Sequence, residues 1–208
     1  MFLRTLPNHA QDALAILGKS KILDFTYMAG GTALALQLGH RQSADFDFFS
    51  QEDFDEAEMA QKLQSLGQYI PEQQAPKTMI GTFNQVKISL FHYKYPLVSD
   101  QIDCLGLKLA SMQDIAAMKM AATLGRATKK DYVDIYFLIK DHFPLEKMLD
   151  LYDQKYSNLE INRFALTKGL QYFEDAEITE MPIMFEEVNW EAVKEFLRSK
   201  AKKYWENL

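Results

Sequence analysis

Asp45 and Asp47 stand two residues apart in the run Ala44-Asp-Phe-Asp-Phe-Phe49, and this spacing is the first feature that points to chemistry. In an extended chain successive side chains alternate between faces, so both carboxylates project from one side while Phe46 and Phe48 project from the other. Paired hard oxygen ligands suit Mg²⁺, whose octahedral shell is completed by phosphate and water oxygens. The plainer alternative is the solvated face of an amphipathic strand. Aspartate, however, is a poor strand former, and two in one short strand ask for a reason. Fourteen residues before Asp45 lies Gly31, in Gly30-Gly31-Thr32, directly ahead of the helix-forming run Ala33–Leu38. A glycine turn feeding a helix presents unpaired backbone N–H groups and the positive end of the helix dipole, a setting that favours phosphate. A tight turn needing glycine for positive φ explains the same pair. The interval from Gly31 to Asp45 accommodates a short helix and a return, which would bring an anion cradle and metal ligands to one sheet edge.

A second group lies downstream. Lys119 follows Asp114-Ile-Ala-Ala-Met, and Asp131 and Asp134 fall on neighbouring turns of the segment Arg126-Ala-Thr-Lys-Lys-Asp-Tyr-Val-Asp134. Capping by Asp131 plus ion pairs with Lys119, Lys129 and Lys130 accounts for them; so does a carboxylate pair that orients Lys119 toward a triphosphate. The four histidines, His9, His40, His92 and His142, lack the spacing of a zinc site, and no serine nucleophile elbow is present. Near the end of the chain Arg198, Lys200, Lys202 and Lys203 precede Tyr204 and Trp205, a combination that suits an acidic partner such as RNA or a solvated helix face.

These groups need elements to hold them. Apolar residues at helical spacing over Leu6–Leu17, with Gly18 as a stop, read as an opening helix. Phe25–Met28 reads as a strand, the glycine turn follows, and Ala33–Leu38 reads as a helix that Gly39 terminates. Asp45–Phe49 reads as a second strand, and Ser50 with Asp53 as a capping box ahead of a helix carrying Phe54, Ala57, Leu63 and Leu66. Lys77–Phe83 and Val86–Phe91, separated by Asn84-Gln85, read as a hairpin in which Lys87, Ser89 and Phe91 share the face opposite Val86, Ile88 and Leu90. After a short strand around Ile102–Leu105 the texture turns helical. Capping signatures stand at Ser111/Asp114 and Thr128/Asp131, Pro144 suits a first helical turn, Asn158 a cap, and Trp190, Val193, Leu197, Ala201 and Tyr204 stripe a final helix.

The 208 residues, with 48% hydrophobic and 25% charged, suit one compact domain or two modest lobes, set here at 1–110 and 111–208. The formal charge of −6 excludes a global electrostatic grip on nucleic acid, leaving only local basic patches. The single cysteine, Cys104, forms no intramolecular disulfide, and the chain shows neither a signal peptide nor a membrane-spanning run, so a cytoplasmic protein is expected.

The segment AGGTALALQLGHRQSADFDFF, Ala29–Phe49, resembles the first motif of the abortive-infection toxin nucleotidyltransferases of the AbiEii/AbiGii type, in the DNA polymerase β nucleotidyltransferase superfamily. ASMQDIAAMKMAATLGRATKKDYVDIYFLI, Ala110–Ile139, is similar to that family's later motifs. The resemblance implies an α+β fold: a mixed β-sheet flanked by helices, with a helical C-terminal half. It implies transfer of a nucleotidyl group from an NTP, with Gly30, Gly31 and Thr32 on the triphosphate and Asp45 and Asp47 as catalytic ligands of Mg²⁺ or Mn²⁺. Arg41, Lys119, Asp131 and Asp134 would complete the nucleotide site. The acceptor would be RNA or protein, and a separately encoded antitoxin the partner.

One departure stands out. The superfamily commonly takes a third carboxylate from a later strand, and the residue best placed for it here is Ser89. Either a single metal site suffices, or Asp103 or the substrate substitutes, or the chain is a non-catalytic nucleotide-binding or interaction module. A glycosyltransferase using Asp45-Phe46-Asp47 would explain the acidic pair and leave Gly30-Gly31-Thr32 unaccounted for.

Overall fold

A computed structural model describes residues 1–125, 127–160 and 162–207; Arg126, which opens the Lys129-containing motif, lies outside them. The chain divides into two compact units, Met1–Ser111 and Met112–Leu208. Among the described residues no helix is long and apolar enough to cross a membrane.

The first unit is a mixed α/β layer. A 3-10 turn at Leu3–Thr5 precedes α1 (Asn8–Ser20), followed by β1 (Tyr27–Ala29), α2 (Gly30–Leu38), β2 (Phe46–Ser50) and α3 (Glu56–Leu66). Five further strands, β3 (Tyr69–Ala75), β4 (Thr78–Phe83), β5 (Val86–His92), β6 (Ile102–Cys104) and β7 (Leu107–Leu109), complete one sheet in the order β3-β4-β5-β2-β1-β7-β6. β2 is antiparallel to β1 and parallel to β5, so the two strands that centre the sheet carry Ala29 and Asp47 as register partners. The period of two is visible in β2: Phe46 and Phe48 are fully buried, whereas Asp47 and Phe49 on the other face are half-buried. Truncating either buried ring to alanine would cost about 3–5 kcal/mol. Phe49 packs on Tyr27 and Phe91 of the flanking strands, with ring centroids 5.9 and 5.7 Å away.

Several boundaries differ from the sequence expectation, each for a local reason. Gly18 does not end α1, which runs to Ser20 and stops at Lys21 in the left-handed conformation (φ 63°). Gly18 is instead a close-approach residue: a Cβ there would collide with the Leu105 carbonyl in the β6–β7 turn. Asp55, not Ser50 with Asp53, caps α3 by accepting from the Glu58 N–H at 2.8 Å, while the Ser50 hydroxyl is spent on the Glu52 backbone. β2 begins at Phe46, one residue after Asp45. The β4–β5 hairpin turns through Asn84 and Gln85 at φ 46° and 69°, the two positive values of a type I′ turn. Two strands were missed: polar β3, an edge strand broken by an irregularity at Pro71, and three-residue β7, which pairs with β6 and, in parallel, β1. β3 lacks apolar alternation, and β7, although it alternates as Leu107-Lys108-Leu109, is too short to register as a strand.

The second unit is helical: α4 (Met112–Ala122), α5 (Lys129–Asp141), α6 (Leu145–Lys155), α7 (Arg163–Gly169), α8 (Glu174–Glu177) and α9 (Trp190–Glu206). α4 packs on α5 and α6, and α9 on the same two helices. Val193, Leu197, Ala201 and Tyr204 form the buried stripe of α9, as their spacing requires. Asn162, rather than Asn158, caps α7 by accepting from the Ala165 N–H at 2.9 Å. Between α4 and α6, Lys155 Nζ donates to Asp114 Oδ1 at 2.7 Å, with both side chains fully buried. Burial pushes the Tyr132 hydroxyl up to about 12, and it donates to the carbonyls of Gly169 and Tyr172.

Candidate active site

The glycine turn joins β1 to α2 with no intervening loop. Ala29 ends the strand as the N-cap of α2 and offers no side-chain cap, and no acidic residue occupies the first turn of the helix. The first N–H groups of α2 therefore have neither an intrahelical acceptor nor a side-chain cap, and they carry the positive end of its dipole. Gly30 sits at φ +71°, which disfavours any residue with a side chain, and a Cβ there would lie 2.8 Å from Asp47 Oδ2. The carboxylate of Asp47 thus rests against the turn, a consequence of the Ala29–Asp47 register.

Gly31 is crowded from the other direction. A Cβ on it would strike Arg41 Nη2 and come within 3.6 Å of Ser43 Oγ. Arg41 is 2% exposed, and its Nη1 donates to the Gln42 carbonyl at 3.0 Å. Thr32 is also buried, and its hydroxyl donates to Ser43 Oγ at 2.8 Å. Ser43 in turn donates its N–H to the Thr5 carbonyl at 3.0 Å, so the loop from Gly39 to Asp45 is tied both to α2 and to the N-terminal turn. What Gly30-Gly31-Thr32 offers a ligand is backbone, while the Thr32 hydroxyl braces the loop. Ser43 is the residue that sequence reasoning missed; a serine between Arg41 and Asp45 carries no signal of its own until the fold places it under Gly31.

Asp45 is exposed, immediately before β2, and Asp47 is half-buried within it. Among the described residues no group of three or more His, Cys, Asp or Glu is arranged to hold a metal ion. A cation at this pair would complete its shell with phosphate and water oxygens, as Mg²⁺ readily does, and the hard carboxylate donors fit that ion. Ser89 is the in-register parallel partner of Asp47 and 5% exposed, so it occupies the neighbouring position on the same face. Asp103 cannot stand in for it. It lies on β6, separated from β2 by β1 and β7, about 14 Å across the sheet at the usual strand spacing, and it holds Lys108 at 2.7 Å.

The second unit gathers Lys119, Asp131 and Asp134. Lys119 Nζ lies 2.8 Å from Asp131 Oδ1 and 2.8 Å from Asp134 Oδ2, and Asp134 is fully buried. The Thr128 N–H and hydroxyl both donate to Asp131 Oδ2, at 2.9 and 2.7 Å, so Asp131 caps α5 while gripping Lys119. Burial is the largest influence on Asp131 and raises its pKa, but the charge and hydrogen bond of Lys119 with the two Thr128 donors outweigh it, and the carboxyl ends below the ordinary value. Of the structural roles expected here, the Asp131 cap and the ion pairs with Lys119 are present, whereas Lys129 Nζ donates to the Glu177 and Thr179 carbonyls instead.

The fold, a mixed sheet in which β2 starts between Asp45 and Asp47 beside a glycine turn at a helix N-terminus, followed by a helical unit, is similar to nucleotidyltransferase folds. Residues 12–207 match the family model of the nucleotidyl transferase AbiEii toxin of type IV toxin–antitoxin systems, and the chain belongs to that family. It is 35% identical over 212 residues to an uncharacterised protein of Aquifex aeolicus (strain VF5), covering 99% of this chain and 100% of that one. Its fold is similar to a candidate nucleotidyltransferase from H. pylori (TM-score 0.60, 18% identity, 97% of this chain and 95% of that one). It is similar also to MenT4, a nucleotidyltransferase toxin from Mycobacterium tuberculosis H37Rv (TM-score 0.55, 14% identity, 94% and 84%).

Proposed function

We propose that this chain transfers a nucleotidyl group from an NTP to a hydroxyl of an RNA or protein acceptor, in a Mg²⁺- or Mn²⁺-dependent reaction, as the toxin of a pair with a cognate antitoxin. The observation that carries the reading is the seat of Asp47: its carboxylate rests against Gly30, at the anion-attracting end of α2. Backbone N–H groups at Gly30 and Gly31 would receive phosphate oxygens, and the buried Arg41 guanidinium behind Gly31 adds positive charge to that turn. Asp45 and Asp47 would hold the cation, which supplies charge neutralisation at the phosphates and a more acidic acceptor hydroxyl. Thr32 and Ser43 keep the turn in shape. Lys119, fixed by Asp131 and Asp134, is the second unit's candidate for phosphate charge.

Ser89 favours a second reading. A serine beside Asp47 accepts no proton and binds a cation weakly, so a chain that binds NTP without turnover is consistent with it. Incubation with each α-labelled NTP, Mg²⁺ or Mn²⁺ and total RNA, against Asp45→Ala and Asp47→Ala, separates the two. Label on RNA or on protein that both variants abolish supports transfer; metal-dependent NTP binding without label supports the binding module.

A further inference from the structure

The C-terminal basic run singled out in the sequence takes on a definite shape in the second unit. Arg198, Lys202 and Trp205 follow one another at i, i+4 and i+7 along α9, and so share one face. Phe164 and Lys168 stand at i and i+4 on α7, and the Phe164 and Trp205 rings meet edge to face with centroids 5.9 Å apart. The two rings are 60% and 42% exposed, although α9 has a well-filled buried stripe on its other side. They are not loose: Trp205 Nε1 donates to Thr167 Oγ1 at 3.0 Å, which pins the indole to α7. Arg198 lies over the Phe173 ring at 5.1 Å and borders a groove of about 620 Å³ with Gln171, Ser199 and Lys202. The groove's far end is acidic, at Glu191 and Glu195. Arg163 adds no positive charge to this face, because Asp150 and Asp153 at 2.6 and 2.7 Å outnumber it, and Lys202 stands 3.6 Å from Glu206 in an exposed pair.

Two fixed, solvent-facing aromatic rings flanked by exposed cations form the combination that binds unpaired nucleotides, with bases stacking on rings and phosphates meeting Lys and Arg. We propose that the α7–α9 face is a binding surface for a single-stranded polynucleotide, with bases on Phe164 and Trp205 and phosphates on Lys168, Arg198 and Lys202. Glu191 and Glu195 repel the backbone and set where the strand leaves the groove. In a chain of net charge −6 this is a local grip, so affinity is modest and strongly salt-dependent. An acidic peptide would satisfy the cations but has no use for the rings. The surface is independent of the transfer reaction and holds equally for a non-catalytic chain.

The test is fluorescence anisotropy of the full chain with labelled oligo-U and oligo-dT of about twelve nucleotides, a length within the range one such platform spans, in EDTA so that the metal-dependent site is silent. Binding is expected, with log K falling against log salt at a slope of about −2 for three phosphate contacts. Phe164→Ala, at a 60% exposed position, should weaken binding about tenfold without changing the thermal midpoint. The double variant Lys168→Ala/Lys202→Ala should bring the slope to about −0.7. Glu191→Gln/Glu195→Gln should tighten binding. The ratio of the two oligonucleotides tells whether RNA or DNA is preferred, and either result supports the surface. Absence of binding overturns the proposal, as does binding unchanged by Phe164→Ala or equal competition by a polyglutamate peptide, which would leave only a generic cationic face.

Discussion

Asp47 faces Ser89 across a parallel pair of strands, in register and on the same side of the sheet, with Ala29 as its partner on the other flank. A carboxylate at Ser89 would lie beside Asp47; the hydroxyl leaves the candidate site with two carboxylates near the turn, one exposed and one half-buried. That relationship bears on the division between transfer and binding.

Introducing the missing carboxylate tests it directly. In Ser89→Asp two like charges share a half-buried site, so the metal-free protein should lose stability and one of the two carboxyls should titrate high. Mn²⁺ or Mg²⁺ should then raise the thermal midpoint more than in the wild type, and label transfer should increase. A variant whose midpoint ignores the metal would mean that no cation binds beside Asp47.

Replacing the proposed ligands individually separates chemistry from folding. Asp45→Asn, at an exposed position, should leave the urea midpoint unchanged within about 0.5 kcal/mol while reducing transfer by at least about a hundredfold. Full transfer by Asp45→Asn would remove it from the metal pair.

Gly30→Ala combines a left-handed backbone with a methyl 2.8 Å from Asp47 Oδ2. The backbone alone costs about 1–2 kcal/mol, a fall of roughly 2–8 °C in the thermal midpoint for a chain of this size. Since Asp47 must also shift, NTP binding by isothermal calorimetry should weaken more than stability suggests.

The pH dependence of stability reports the Lys119 cluster. Asp131 titrates below 3.8 in the folded chain, so its contribution is fully present above that value and is lost as pH falls through the lower folded value. Urea midpoints should therefore drop below about pH 4, and Asp131→Asn should flatten that part of the curve. An equal slope in both proteins would mean that Asp131 holds no net favourable interaction.

Lys155→Met removes the cation paired with the buried Asp114 carboxylate and should cost about 3–5 kcal/mol in urea denaturation, whereas Asp114→Leu/Lys155→Met should recover much of that loss. If the double variant is as unstable as the single, the buried pair contributes more than packing can replace.

Much of this protein was legible in the amino-acid sequence wherever a local rule operates. The glycine turn, the alternation that separates Asp47 from Phe46 and Phe48, the positive-φ Asn84-Gln85 hairpin and the α9 stripe each depend on neighbours within a few residues, so periodicity and turn chemistry specify them. Residue type and spacing likewise marked Asp45 and Asp47, and the family resemblance marked Ser89. Only the tertiary structure decided what those residues meet. Strand order placed Ser89 beside Asp47 and Asp103 about 14 Å away, because register is a property of paired strands rather than of one. Gly18 read as a stop and proved to be a point of backbone contact, Thr32 stood out beside the glycines and its hydroxyl was found to brace Ser43, and Phe164 gained meaning only once folding set it against Trp205. In each case the decisive partner is remote in the chain, and contacts between distant segments are fixed by how elements pack, which no local pattern encodes.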